Sequence, residues 1–158
     1  IERMVLIDSP PALGTTFTPM TEAFLTPGLG QLLVHFQTDD GLRRGLAQGF
    51  APGYLVPERF VADLKQLTYS GFRDAHEGSI AFRKAKAPWE RLAALKPAPP
   101  LLAIFGAQDA IVPPANASFY ARVPGSKVVV IDGAGHSPMV EAPEKTLALI
   151  REFLPRAP

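Results

Sequence analysis

Three short runs of consecutive apolar, largely β-branched residues punctuate the chain. They are Met4-Val5-Leu6-Ile7, closed by Asp8-Ser9-Pro10-Pro11; Leu101-Leu102-Ala103-Ile104-Phe105, closed by Gly106; and Val128-Val129-Val130-Ile131, led by Lys127 and closed by Asp132-Gly133. Runs that do not alternate with polar residues suit parallel strands covered by helices on both faces. Between the second and third runs, Pro113 and Pro114 open a helical pattern that extends to Ala121. Proline is favourable at a helix start, where its missing N–H would have had no partner. After the third run, Pro143-Glu144-Lys145 opens a terminal helix in which Leu147, Ile150 and Leu154 form one apolar stripe. The tail is therefore read as βαβα with a right-handed crossover.

Residues 15–95 follow a different pattern, with no convincing strand and several short helical stretches broken by Pro and Gly. The clearest covers 57–70, where Phe60, Val61, Leu64 and Leu67 make a stripe. Gly41, Gly45, Gly49 and Gly53 are evenly spaced, but the residues between them do not match, so they form no repeat. The segment is read as a helical insertion between the first and second strands. This divides the chain into a core portion, 1–14 and 96–158, and a helical cap or lid, 15–95. The plainer alternative is a helical part of the same core.

Composition narrows the possibilities. The 158 residues are enough for one domain with a real core, and 47% hydrophobic with 20% charged residues is ordinary globular usage. Sixteen basic and fifteen acidic side chains leave a formal charge of +1, so no field would gather nucleic acid or an anionic membrane. Cysteine is absent, which excludes disulfides and thiolate metal sites. The start has no basic and apolar regions like a signal peptide's, and no apolar run approaches the roughly 20 residues of a membrane helix. A cytoplasmic protein is the expectation. Because the first residue is Ile1 and a strand follows almost at once, an upstream portion is also expected.

Ligands of open parallel sheets bind beyond the carboxyl ends of the strands, and two loops there carry chemistry. One contains Gly106-Ala107-Gln108-Asp109, the other Gly133-Ala134-Gly135-His136-Ser137-Pro138. A catalytic histidine needs a carboxylate on one ring nitrogen to fix its tautomer and stabilise the imidazolium. Asp109 and His136 on adjacent strands would meet that need, and their order matches the last two members of a Ser…Asp…His sequence. Asp109 could instead cap the helix that follows or close an Asx turn. Asp8 is the alternative acid, though its ordinary role would be that of a loop residue, and Asp132 reads as a solvated turn residue. His35 and His76 lack ligand spacing, so no metal site is read, and Pro138 interrupts any G-x-G-x-x-G fingerprint.

At these residues the chain resembles the capped α/β-hydrolases. Residues 99–113 look like the family's acid-bearing strand and loop, and 130–144 like its histidine loop and last helix. Arg3-Met4-Val5-Leu6-Ile7-Asp8-Ser9-Pro10 is similar to the strand that follows the nucleophile segment. The resemblance implies an α/β fold, the C-terminal half of an α/β-hydrolase, with parallel strands, covering helices and a helical cap. It implies hydrolysis of an ester-like or related bond through a nucleophile–His–Asp triad, with no metal or organic cofactor. A small-molecule substrate would be lined by the insertion, where Tyr54, Tyr69 and Phe72 are the candidates, although aromatic residues there also serve packing. The family's G-x-S-x-G elbow is missing: the glycine pairs with that spacing enclose Arg43, Ala47 and Ala51, and Ser137 belongs to the histidine loop. A serine upstream would point to an esterase, thioesterase, amidase or C–C bond hydrolase; an aspartate, to a dehalogenase or epoxide hydrolase. The expected partner is a complementary N-terminal half, or a second copy joined through the Met4–Ile7 edge. The alternative function is a non-catalytic ligand-binding or interaction protein of the same fold.

Overall fold

The computed structural model describes residues 1–14 and 19–155. Strand β1 (Met4–Ile7) is followed by α1 (Pro19–Leu25), α2 (Leu29–His35), α3 (Asp39–Ala47), α4 (Glu58–Leu64), α5 (Tyr69–Ala85) and α6 (Pro88–Ala93). Then come β2 (Leu101–Gly106), a 3-10 turn (Pro114–Asn116), α7 (Ala117–Tyr120), β3 (Ser126–Ile131), α8 (Pro138–Glu141) and α9 (Pro143–Phe153). The strands form a parallel sheet in the order β1-β2-β3, with Met4 opposite Leu101 and Leu101 opposite Ser126.

Side chains alternate across a strand, and β2 sends one set to each face. Leu101, Ala103 and Phe105 join Val112, Ala117, Tyr120 and Val123 in one core, against which Met4, Leu6 and α6 residues Trp89 and Leu92 pack. Leu102 and Ile104 join Ile131 and Ala134 in the other, covered by α9. Burial along the full length on both faces holds for β2 alone. β1 is half-buried, and β3 exposes Lys127 and Val130, because each has only one neighbouring strand among the described residues. The terminal helix also differs from its sequence pattern. Leu147 and Leu154 are each 45% exposed, and the inward face is Thr146, Leu149, Ile150 and Phe153. Thr146 is buried with its hydroxyl donating to the carbonyl of Pro138 (2.9 Å). A threonine at the head of the stripe hides it from a search for apolar residues.

The 57–70 stretch is two helices. Thr68 accepts from the amide of Gly71 (3.1 Å), an N-cap that starts α5 and leaves Leu67 in the exposed turn before it. The helical pattern at 113–121 is likewise shorter than expected, a 3-10 turn running into α7. Among the described residues of 15–95 there is no strand, as the sequence pattern predicts. No helix among them is long and apolar enough to cross a membrane.

Residues 49–51, after α3, lie directly on the loop that follows β3. The amide of His136 donates to the carbonyl of Gly49 (3.0 Å), and the Tyr54 hydroxyl to that of Val140 (3.1 Å). A Cβ on Gly135 would stand 2.6 Å from the backbone of Phe50 and Ala51, so only glycine permits this approach. The Glu141 carboxylate completes the seam by accepting from the amides of Ala51 (2.5 Å), Gly135 (2.8 Å) and Ser137 (3.2 Å). Amides bound to a charged acceptor are strong partners and costly to strand in a half-buried place. Replacing Glu141 with Ala should lower unfolding free energy by about 2–3 kcal/mol, with Gln intermediate because it keeps one acceptor oxygen. Denaturant titration measures this, and a loss within about 0.5 kcal/mol, as for an ordinary surface change, would contradict it.

Candidate active site

The loops after all three strands converge at the carboxyl edge of the sheet. Asp109, in the loop after β2, is buried, and its two oxygens have separate tasks. Oδ1 accepts from the amides of Ile111 (2.7 Å) and Val112 (2.8 Å). Oδ2 lies 2.8 Å from Nδ1 of His136, in the loop after β3. The Asx turn and the histidine partnership, weighed as alternatives from sequence, are both present. The turn aims the carboxylate. A ring that donates from Nδ1 to Asp109 carries its lone pair on Nε2. The imidazole is 31% exposed, whereas the Asp109 side chain is wholly covered.

The environment favours protonation of His136. Burial opposes the charged ring, but the hydrogen bond and charge of Asp109 outweigh it, and any charge on Asp8 and Glu141 acts the same way. Its pKa is raised above 6.5.

Asp8, after β1, is no solvated loop residue. It is 2% exposed, adopts a left-handed φ of 42°, and accepts from the amide of Gly106 through Oδ1 (2.9 Å). Its Oδ2 is buried with no hydrogen-bond partner. Burial above all, with the nearby Asp109 charge, raises its pKa to about 7, against the opposing pull of the Gly106 amide and His136. One donor atom each from Asp8, Asp109 and His136 lie within 4.8 Å of one another. Asp109 already has two amides on one oxygen and the imidazole on the other, so an ion would have to part the Asp109–His136 bond.

The remaining candidates are spread apart. Ser137 precedes α8 as its N-cap residue, and its amide is held by Glu141. Asp132 is exposed, as a turn residue should be. Tyr54 stacks on Phe50 at 5.3 Å between ring centroids, with its hydroxyl donating to Val140. The Tyr69 hydroxyl donates to the carbonyl of Leu25 (3.4 Å). Phe72 lines a mainly apolar cavity of about 570 Å³ within the helical segment, together with Phe24, Leu33, Leu42 and Leu64, with Gln48 and Arg44 among its polar lining. Neither tyrosine lines that cavity. Sequence reasoning missed Glu141 as the tie between two segments, because a lone glutamate in a helical turn carries no distinguishing period.

The chain is 39% identical over 56 residues to pimeloyl-[acyl-carrier protein] methyl ester esterase of Neisseria meningitidis, a match covering 35% of this chain and 22% of that protein. Among solved structures, a hydrolase from Pseudomonas aeruginosa PA01 superposes with TM-score 0.68 at 24% identity, covering 96% of this chain and 55% of that one. Bromoperoxidase from Bacillus anthracis gives TM-score 0.68 at 21% identity, covering 96% and 57%. An esterase from Thermogutta terrifontis gives 0.61 at 20%, covering 94% and 54%. The chain thus spans about half the length of the solved structures it matches. The family model described as alpha/beta hydrolase family matches residues 1–149, and the chain belongs to that family.

Proposed function

We propose that this chain supplies the general base and its orienting acid to a hydrolase of ester-like bonds. The observation that carries the reading is the Asp109–His136 bond of 2.8 Å, made by a carboxylate whose other oxygen is locked by two amides. In the proposed reaction, Nε2 of His136 takes the proton of a nucleophile as it attacks the substrate carbonyl. Asp109 stabilises the resulting imidazolium and keeps the ring in one tautomer. His136 then returns the proton to the leaving group. The nucleophile and oxyanion donors come from a segment outside these 158 residues. The partial identity to a methyl ester esterase supports an ester as the substrate. We assign residues 15–95 the role of a cap whose apolar cavity beside Phe72 receives the acyl part, while the Tyr54 and Tyr69 hydroxyls, bonded to the carbonyls of Val140 and Leu25, serve the packing of the cap.

Three outcomes follow. The chain alone should turn over an activated aryl ester at no more than trace rates, since each oxyanion donor it lacks is worth roughly 10²–10³ in rate. Joined to a nucleophile-bearing segment it should be active, and His136→Ala should then lower kcat on the order of 10⁴–10⁶-fold. Robust turnover by the chain alone, abolished by His136→Ala, would place the nucleophile within it and overturn this division. The base must be neutral to act, so the acidic limb of kcat/KM should lie above pH 6.5, the ordinary histidine value. In Asp109→Asn that limb should move to lower pH while the plateau falls, because the charge that holds the imidazolium is gone. A limb that stays in place would remove Asp109 from the acid role. Finally, β1 has an open outer edge among the described residues, a row of unpaired backbone groups that recruits another strand. Light scattering on the purified chain should show a dimer or larger species; a monomer at high concentration with slow amide exchange in β1 would contradict that.

A further inference from the structure

The geometry points to Asp8 as a positioning residue that holds a proton on its buried Oδ2 and presents it to the Asp109 carboxylate, so that His136 faces one negative charge instead of two. This rests on reading Asp109 and His136 as acid and base, a reading that gives Asp8 no task.

Four observations support it. The side chain is 2% exposed, among the most buried of the described polar groups. Its oxygens are inequivalent: Oδ1 is occupied by the amide of Gly106, whereas Oδ2 is buried without a partner. An unpartnered acceptor in that position is unfavourable, but a protonated oxygen is a donor in need of an acceptor, and a carboxylate oxygen of Asp109 lies within 4.8 Å of one of the Asp8 oxygens. Two carboxylates sharing a buried site do not both ionise readily. The backbone is also held for the purpose, since Asp8 sits at a φ of 42° that only glycine, asparagine and aspartate adopt with ease. The groups facing Asp8 are the Gly106 amide from β2, Asp109 from the loop after β2, and His136 from the loop after β3. Glu141 bears electrostatically on His136, and the Tyr120 hydroxyl of α7 donates to the neighbouring Ser9. Burial and the Asp109 charge place the Asp8 pKa at about 7, so the proton is held below that pH and is half lost at it.

The consequence for the base is direct. A second ionised carboxylate beside His136 would stabilise the imidazolium further and trap the ring in a form that cannot accept a proton. A neutral Asp8 still braces Asp109 through a hydrogen bond without adding that charge.

Asp8→Asn tests this, because it keeps an oxygen for Gly106, offers an N–H in place of the acid O–H, and suits the left-handed backbone. Three readouts on the chain itself need no turnover. Infrared difference spectra near pH 6 should show a protonated carboxyl band in the wild type that is lost in Asp8→Asn and retained in Asp109→Asn. By NMR, His136 should titrate within a few tenths of a pKa unit of wild type in Asp8→Asn; a fall of about one unit or more, expected on removing a nearby charge, would overturn the proposal. A raised carboxyl pKa stabilises the fold below pH 3.8 and loses that contribution as pH climbs to about 7. The Tm of Asp8→Asn relative to wild type should therefore rise across that window and level off above it. A band that vanishes instead in Asp109→Asn puts the proton on the wrong residue, and absence of the band in wild type refutes it. If His136 proved dispensable for catalysis while these signatures held, the functional reading would fail and the proton assignment would stand.

Discussion

At Gly106 the last residue of β2 meets the histidine loop so closely that a Cβ there would lie 1.9 Å from the carbonyl oxygen of Gly135 and 2.5 Å from that of Ala134. No side chain fits, and neither neighbour is a flexible group that could yield. The same residue donates its amide to Asp8 and accepts through its carbonyl from the amide of Asp109 (3.3 Å). The next two amides, of Ala107 and Gln108, reach Ile131 (3.0 Å) and Ala134 (2.9 Å). One position without a side chain thus ties together the loops after all three strands. The 2.8 Å bond between Asp109 and His136 is a product of that contact as much as of the two residues themselves.

The parts of this arrangement that follow from local chemistry were legible in the sequence. The three strands appear where unbroken apolar runs stand, although only β2 is buried along both faces as such a run implies. The pairing of Asp109 with His136 was legible because both stand in loops after apolar strands, at the carboxyl edge of the sheet. What escaped was set by the third dimension. The face that α9 buries begins with Thr146, whose burial depends on a hydrogen bond to Pro138 that no periodicity records. The break between α4 and α5 follows from the Thr68 cap, a signal that the continuing apolar stripe of Phe60, Val61, Leu64 and Leu67 obscured. Asp8 reads as an alternative acid or an ordinary loop residue, and its burial becomes visible only when the other two loops close over it.

Charge in the site is distributed unevenly in a way the amino-acid composition does not suggest. A near-neutral chain places Asp8 and Asp109 around a single imidazole, with Glu141 within electrostatic reach. Glu141 spends its charge on three amides and Asp109 divides its oxygens between two amides and a ring. Backbone N–H groups therefore do most of the work of keeping two of these acids in place, and the fold needs no arginine or lysine to bind them.

The seam of residues 49–51 has a mechanical consequence. Although they lie in the middle of the helical stretch between β1 and β2, they are bolted to the histidine loop by the Gly49 carbonyl, the Ala51 amide and the space left by Gly135. In any hinging of those helices, this short piece travels with the sheet as a fixed sill. A transplant of a relative's helices onto this scaffold has its natural joints on either side of the sill. A graft that replaces the sill itself trades away the support under His136.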